Sequence, residues 1–107
     1  MTEHCVAFCT CPSEDVARDL ASALVGENLV ACVNILPGLT SVFQWQGRVE
    51  TEGETLMIIK TARDRSEALA SRIAELHPYE VPEVIVLPIE SGLPAYLDWI
   101  VQETRSQ

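Results

Sequence analysis

Four cysteines, Cys5, Cys9, Cys11 and Cys32, have the widest chemical reach in this sequence. A cysteine can fill a core as a small hydrophobe, ligate a metal as a thiolate, or react as a nucleophile. In an extended strand, Cys5, Cys9 and Cys11 point to one face. At a rise of ~3.3 Å per residue, Cys9 and Cys11 stand roughly 6.6 Å apart along it. Two thiolates on one metal need sulfurs ~4 Å apart, given Zn–S bonds of about 2.3 Å. The pair therefore converges only if Pro12 ends the strand's regularity. Cys-x-x-Cys is the usual metal spacing, so Cys9-x-Cys11 is a weak signal. Cys5 and Cys32 read as core residues, and Cys9 as core or ligand. Soft thiolates would favour Cu(I) or Zn over Mg or Ca.

A second chemical stretch is His77-Pro78-Tyr79-Glu80-Val81-Pro82-Glu83. Two prolines stiffen it into an extended path. In a polyproline-like helix, His77, Glu80 and Glu83 would share one side at ~9 Å intervals, too far apart to share one ion. Each can still offer a ligand to a site completed by another strand or subunit. Equally, the segment can be a rigid connector in which His77 caps helix carbonyls, or can line a pocket between subunits. Glu54 and Lys60 bracket the apolar run Met57-Ile58-Ile59. With Trp45 and Tyr79 they could wall a small-molecule cleft, apolar with few polar groups. The plainer alternative is that Glu54 and Lys60 are solvated strand ends, Trp45 an oligomer contact, and Trp99 a core or interface residue. His4 reads as a disordered surface residue near the terminus.

The elements that must position these residues follow from the apolar pattern. Cys5 to Thr10 is a short run suited to a buried strand. Ser13 is the expected N-cap of a helix with Glu14 and Asp15 in its first turn, and Gly26 its expected stop. Val30 to Ile35 predicts a second strand, bent by Pro37-Gly38 and resumed by Val42, Phe43 and Trp45. Gln46-Gly47 predicts a hairpin turn. Arg48 to Thr51 returns, Glu52-Gly53 marks an expected bulge, and Thr55 to Thr61 is a further strand. Asp64 to Leu76 has helical spacing, and Pro78 ends that helix at His77. Val84 to Leu87 predicts a buried strand. Pro94 opens a last helix packed through Leu93, Leu97, Ile100 and Val101.

This order, β-α-β-β-α-β plus a C-terminal helix, predicts an α+β ferredoxin-like sandwich with a long bent hairpin, one domain over residues 1–107. Two helices on one sheet face leave the other bare. Alternate residues of these strands are also apolar, and such a patch marks an association surface. The sequence thus predicts an oligomer.

Composition narrows the function. Sixteen acidic residues oppose seven basic ones, a formal net charge of −9. Phosphate binding needs clustered Lys and Arg, whereas Arg48, Lys60, Arg63, Arg65 and Arg72 are scattered among acids. Nucleic acid and anionic membranes are therefore not expected partners. A 48% apolar content supports a core without staples. No apolar stretch approaches a membrane span, and the polar start from Met1 to His4 does not resemble a signal peptide. A cytoplasmic protein with reduced thiols is expected.

Several segments together resemble the CutA divalent-cation-tolerance family. They are Cys9-Thr10-Cys11-Pro12, Leu29 to Gly38, Trp45-Gln46-Gly47, Glu54 to Thr61, His77 to Glu83, and Tyr96-Leu97-Asp98-Trp99-Ile100. The resemblance spans about Cys5 to Ile100, and the joint occurrence of these segments in this order makes it specific. It implies a ferredoxin-like fold, a tight homotrimer, tolerance of copper and other divalent metals, and kinship in fold with the trimeric PII signalling proteins. The family's copper ligands imply Cys9 and His77 here, while Leu76 stands where an adjacent histidine is expected. The implied function is a cytoplasmic, periplasm-independent protein that binds copper, or another divalent ion such as zinc, as a homotrimer.

Two other readings stand beside it. One is a PII-like regulatory module holding a small ligand in an intersubunit cleft lined by Trp45, Glu54, Lys60, Tyr79, Glu80 and Glu83. The other, ranked last, is an enzyme using His77, Glu54 or Lys60 as acid and base. The sequence has no nucleophile elbow, Gly-rich phosphate loop or His-Glu-x-x-His motif.

Overall fold

A computed structural model of the chain describes residues 3–105. The elements run β1 (His4–Cys11), α1 (Glu14–Gly26), β2 (Cys32–Trp45), β3 (Arg48–Ala62), a 3-10 turn (Arg63–Arg65), α2 (Ser66–Leu76), β4 (Ile85–Pro88) and α3 (Pro94–Glu103). The strands form one antiparallel sheet in the order β2-β3-β1-β4. This is the α+β ferredoxin-like arrangement expected from the apolar pattern.

Local signals explain most element ends. Ser13 Oγ accepts the Val16 N–H at 3.2 Å, capping α1 above its acidic first turn. The stop of α1 differs from expectation. Gly26 is the last helical residue, and the left-handed position falls to Asn28 (φ 60°). The Asn28 N–H bonds Val25 O at 3.0 Å and the Leu29 N–H bonds Leu24 O at 3.1 Å. That pairing is a Schellman motif, in which asparagine tolerates the left-handed turn. At the other helix, His77 leaves α2 in extended geometry (φ −74°, ψ 140°), as a residue before proline should.

The β2–β3 hairpin is the longest feature. Gln46 (φ 51°) and Gly47 (φ 78°) form its two-residue turn between the paired Trp45 and Arg48. Positive φ at both central residues is the primed turn whose twist matches a hairpin. The register slips between Leu36 and Leu39, where Pro37 and Gly38 interrupt the ladder. The bulge expected at Glu52-Gly53 does not form, because Ser41↔Glu52 and Thr40↔Gly53 pair in step. The ladder's irregularity lies instead on the β2 side, between Leu36 and Leu39. His4 is also placed differently from expectation. It opens β1 in register with Ala62, and its carbonyl accepts the Ile89 N–H at 2.9 Å.

One sheet face carries the core. Ala7, Cys9 and Cys11 of β1 and Met57 and Ile59 of β3 pack against Leu20 and Leu24 of α1 and Leu69 and Ile73 of α2. The opposite face stays partly open. By strand alternation it presents Phe8, Ile58, Leu36, Ile85 and Leu87, of which Leu36, Ile85 and Leu87 are 46%, 49% and 44% exposed. Helix α3 packs on β3 and β1, with Ile100 fully buried and Leu93 exposed ahead of Pro94. Among the described residues, no helix is long and apolar enough to cross a membrane.

Candidate metal centre

Three elements converge beneath the α2 end of the core. β1 turns Cys9 and Cys11 inward, and both are fully buried. Its neighbour β3 places Met57 directly opposite Cys9 in the register. Pro78 stops α2 at His77, whose ring turns in toward β1 and is 6% exposed. One ligand atom from each of Cys9, Cys11 and His77 lies within 4.8 Å of the other two.

The sulfurs form a chain. Cys9 Sγ lies within 4.8 Å of Cys11 Sγ and donates to the Thr10 carbonyl at 3.8 Å, and Cys11 Sγ lies 3.4 Å from the Met57 thioether. Hydrogen bonding to Cys11, burial, and the Glu83 and Glu54 carboxylates all push the Cys9 thiol upward. The same Cys9 bond draws Cys11 down, against its burial. The pair shares its acidity unequally, and Cys9 is the harder of the two thiols to ionise.

Both His77 ring nitrogens have partners. Nδ1 accepts the Tyr79 N–H at 3.0 Å, so the ring proton sits on Nε2, which donates to the Thr10 carbonyl at 2.8 Å. The ring also packs against Tyr79 with centroids 4.7 Å apart. It does not cap the α2 carbonyls, since only the His77 backbone N–H bonds back, to Ile73 O at 2.8 Å. To ligate an ion, one ring nitrogen must exchange its present partner.

Of the residues singled out in the sequence, Cys9 and His77 come together. Glu54 and Tyr79 also meet. Glu54 is 9% exposed and accepts the Tyr79 hydroxyl at 2.7 Å. Burial first, and then this bond, push the Tyr79 phenol upward. Lys60 lies elsewhere. It bonds Asn34 Oδ1 across the β2–β3 ladder, six positions from Glu54, or about 20 Å along β3. Trp45 is at the hairpin tip, 46% exposed, and Glu80 and Glu83 face solvent. A single chain therefore does not assemble the six-residue cleft.

Sequence reasoning underweighted Cys11 and did not single out Met57. The spacing estimate for Cys9 and Cys11 followed the backbone, but the side chains converge although Cys11 remains inside β1. Alternation along Met57-Ile58-Ile59 already put Met57 on one face with Ile59. The β1–β3 register was the missing link. The cluster holds two thiols and an imidazole with a thioether alongside, and no carboxylate belongs to it among the described residues. That chemistry fits a soft or borderline transition-metal ion and does not fit a hard oxygen-seeking one.

The antiparallel ferredoxin-like sheet places the chain in a class of small α+β proteins, here with a soft-donor cluster under one helix end. The chain belongs to the CutA1 divalent ion tolerance protein family, whose model matches residues 5–103. It is similar to "Protein CutA" of Mus musculus, with 49% identity over 100 residues, 94% of this chain. The chain spans about half the length of that mouse relative, 56%. The solved divalent cation tolerance protein from Thermus thermophilus is 49% identical and superposes with a TM-score of 0.93, over 95% of this chain and 99% of that one. A protein from Archaeoglobus fulgidus described as a periplasmic divalent cation tolerance protein is 35% identical, with a TM-score of 0.92 over 95% of this chain and 99% of that one.

Proposed function

We propose that this protein binds copper, or another divalent ion with an affinity for soft donors such as zinc, through Cys9, Cys11 and His77. The observation that carries the reading is the approach of three buried ligand atoms to within 4.8 Å of one another. Thiolate and imidazole are the donors such ions take, and three protein ligands leave a fourth position open. Cys11 makes up for Leu76, which cannot ligate. The reading agrees with the family's description as divalent ion tolerance proteins.

The working form we propose is a cytoplasmic, single-domain homotrimer. Leu36, Ile85 and Leu87 support self-association, because together they leave an apolar sheet face partly uncovered. Three free buried cysteines suit a reducing compartment. Binding is tested by calorimetric titration of the reduced protein with Zn(II), and anaerobically with copper, alongside Cys9→Ser and His77→Ala. The expected result is a loss of affinity in both variants. Unchanged affinity in both removes the site. Light scattering tests the assembly, and a monomer at micromolar concentration refutes it.

A further inference from the structure

The Cys9–Cys11–His77 reading leaves one buried donor without a role. Met57 is fully buried, opposite Cys9 in the β1–β3 register, with its thioether sulfur 3.4 Å from Cys11 Sγ. A methionine at an inward strand position is ordinarily a flexible filler of core space. Here it fills space beside a thiol that already faces a second thiol and an imidazole. Resting on the metal-binding reading above, we propose that Met57 Sδ is the fourth donor of this centre, and that it selects monovalent copper over zinc.

The donors that each ion accepts decide the choice. Zinc in proteins takes cysteine sulfur, histidine nitrogen and carboxylate oxygen. A neutral thioether is a soft donor and suits Cu(I). Two thiols, a thioether and an imidazole therefore give Cu(I) four acceptable donors and zinc only three. Zinc must complete its shell with water, and the site opposes that because Cys9, Cys11 and Met57 are all 0% exposed. The nearby Glu54 carboxylate accepts the Tyr79 hydroxyl at 2.7 Å and does not belong to the ligand cluster, so the inner set stays soft.

The four donors are held by different elements. Met57 and the cysteines sit on two paired strands, whereas His77 opens residues 77–84, which form no regular element between α2 and β4.

The test uses the full chain, reduced and anaerobic. Cu(I) affinity is measured by competition with a chromogenic Cu(I) chelator, and Zn(II) affinity by competition with a zinc indicator. The variants are Met57→Leu and Cys9→Ser. Leucine keeps the volume and apolar character, so the fold is retained, and zinc affinity serves as an internal check on the site. Met57→Leu should weaken Cu(I) binding by about tenfold or more, the scale of losing a supporting group at a metal site, and leave Zn(II) within about twofold. Copper K-edge absorption of the loaded wild type should give three sulfurs and one nitrogen per copper, with one sulfur fewer in Met57→Leu. Equal Cu(I) affinity in wild type and Met57→Leu, equal loss of both metals, or only two sulfurs in the wild type overturns the assignment of Met57 but leaves Cys9, Cys11 and His77 standing. Unchanged binding of both metals in Cys9→Ser overturns the underlying metal centre, and the role of Met57 with it.

Discussion

His77→Ala separates a structural histidine from one that waits for a metal. The ring joins the end of α2 to β1 through its 2.8 Å bond to Thr10 O, and fixes the segment that follows α2 through a 3.0 Å bond from Tyr79 N. Thr10 is buried and Tyr79 half-buried, so truncation strands a carbonyl and an N–H where water reaches poorly. Each stranded group costs about 1–3 kcal/mol. The ring contact with Tyr79 adds about 0.5–1.5 kcal/mol. Water admitted to the space left by the ring recovers part of this, giving a net loss of roughly 3 kcal/mol. The assay is guanidinium denaturation of chelator-treated protein, with chain concentration fixed because self-association shifts the transition. With a slope of roughly 3 kcal/mol per molar for a chain of this size, the midpoint should fall by about 1 M. A histidine serving only as a ligand would leave the metal-free midpoint unchanged, and that result would refute the structural role argued for the ring.

Ser13→Ala removes the α1 cap bond to Val16 and should cost about 1 kcal/mol, read by the same denaturation. Gly47→Ala places a Cβ at φ 78° in the hairpin turn and should cost about 1–2 kcal/mol, while Ala at Gly53, where φ is ordinary, should cost less. Leu24→Ala empties a fully buried position between α1 and the sheet, with an expected loss of about 2–5 kcal/mol in the denaturation midpoint analysis. Leu36→Asp puts a charge on the open sheet face and should lower the mass seen by light scattering without unfolding the chain, since Leu36 is already 46% exposed.

The local features were legible because their signals lie within a few residues. Ser13 ahead of two acids, Gln46-Gly47 between apolar arms, and proline after His77 each specify one helix end or turn through backbone chemistry. The mistaken details were also local, but they were settled by competition. Asn28 took the left-handed position from Gly26 because placing Leu29 after it lets Leu29 pack into the core. The slip in the ladder falls at Pro37-Gly38, while Gly53 pairs in step with Thr40.

The candidate centre was only half legible. Residue type and family resemblance named Cys9 and His77. They did not rank Cys11 as a ligand, because spacing along a strand measures the backbone and not where side chains lean. Met57 required knowing which strand lies beside β1 and in what register, and Lys60 was separated from Glu54 by that same ladder. By itself, then, the sequence determined the order of elements, most of their ends and turns, the open apolar face and two members of the candidate cluster. Tertiary structure alone decided that Cys11 meets Met57, 46 residues along the chain, and that Thr10 holds the His77 ring, 67 residues away. The physical reason is range. Capping and turn preferences act through neighbouring dihedral angles, whereas register and helix docking are fixed by burying the whole core at once.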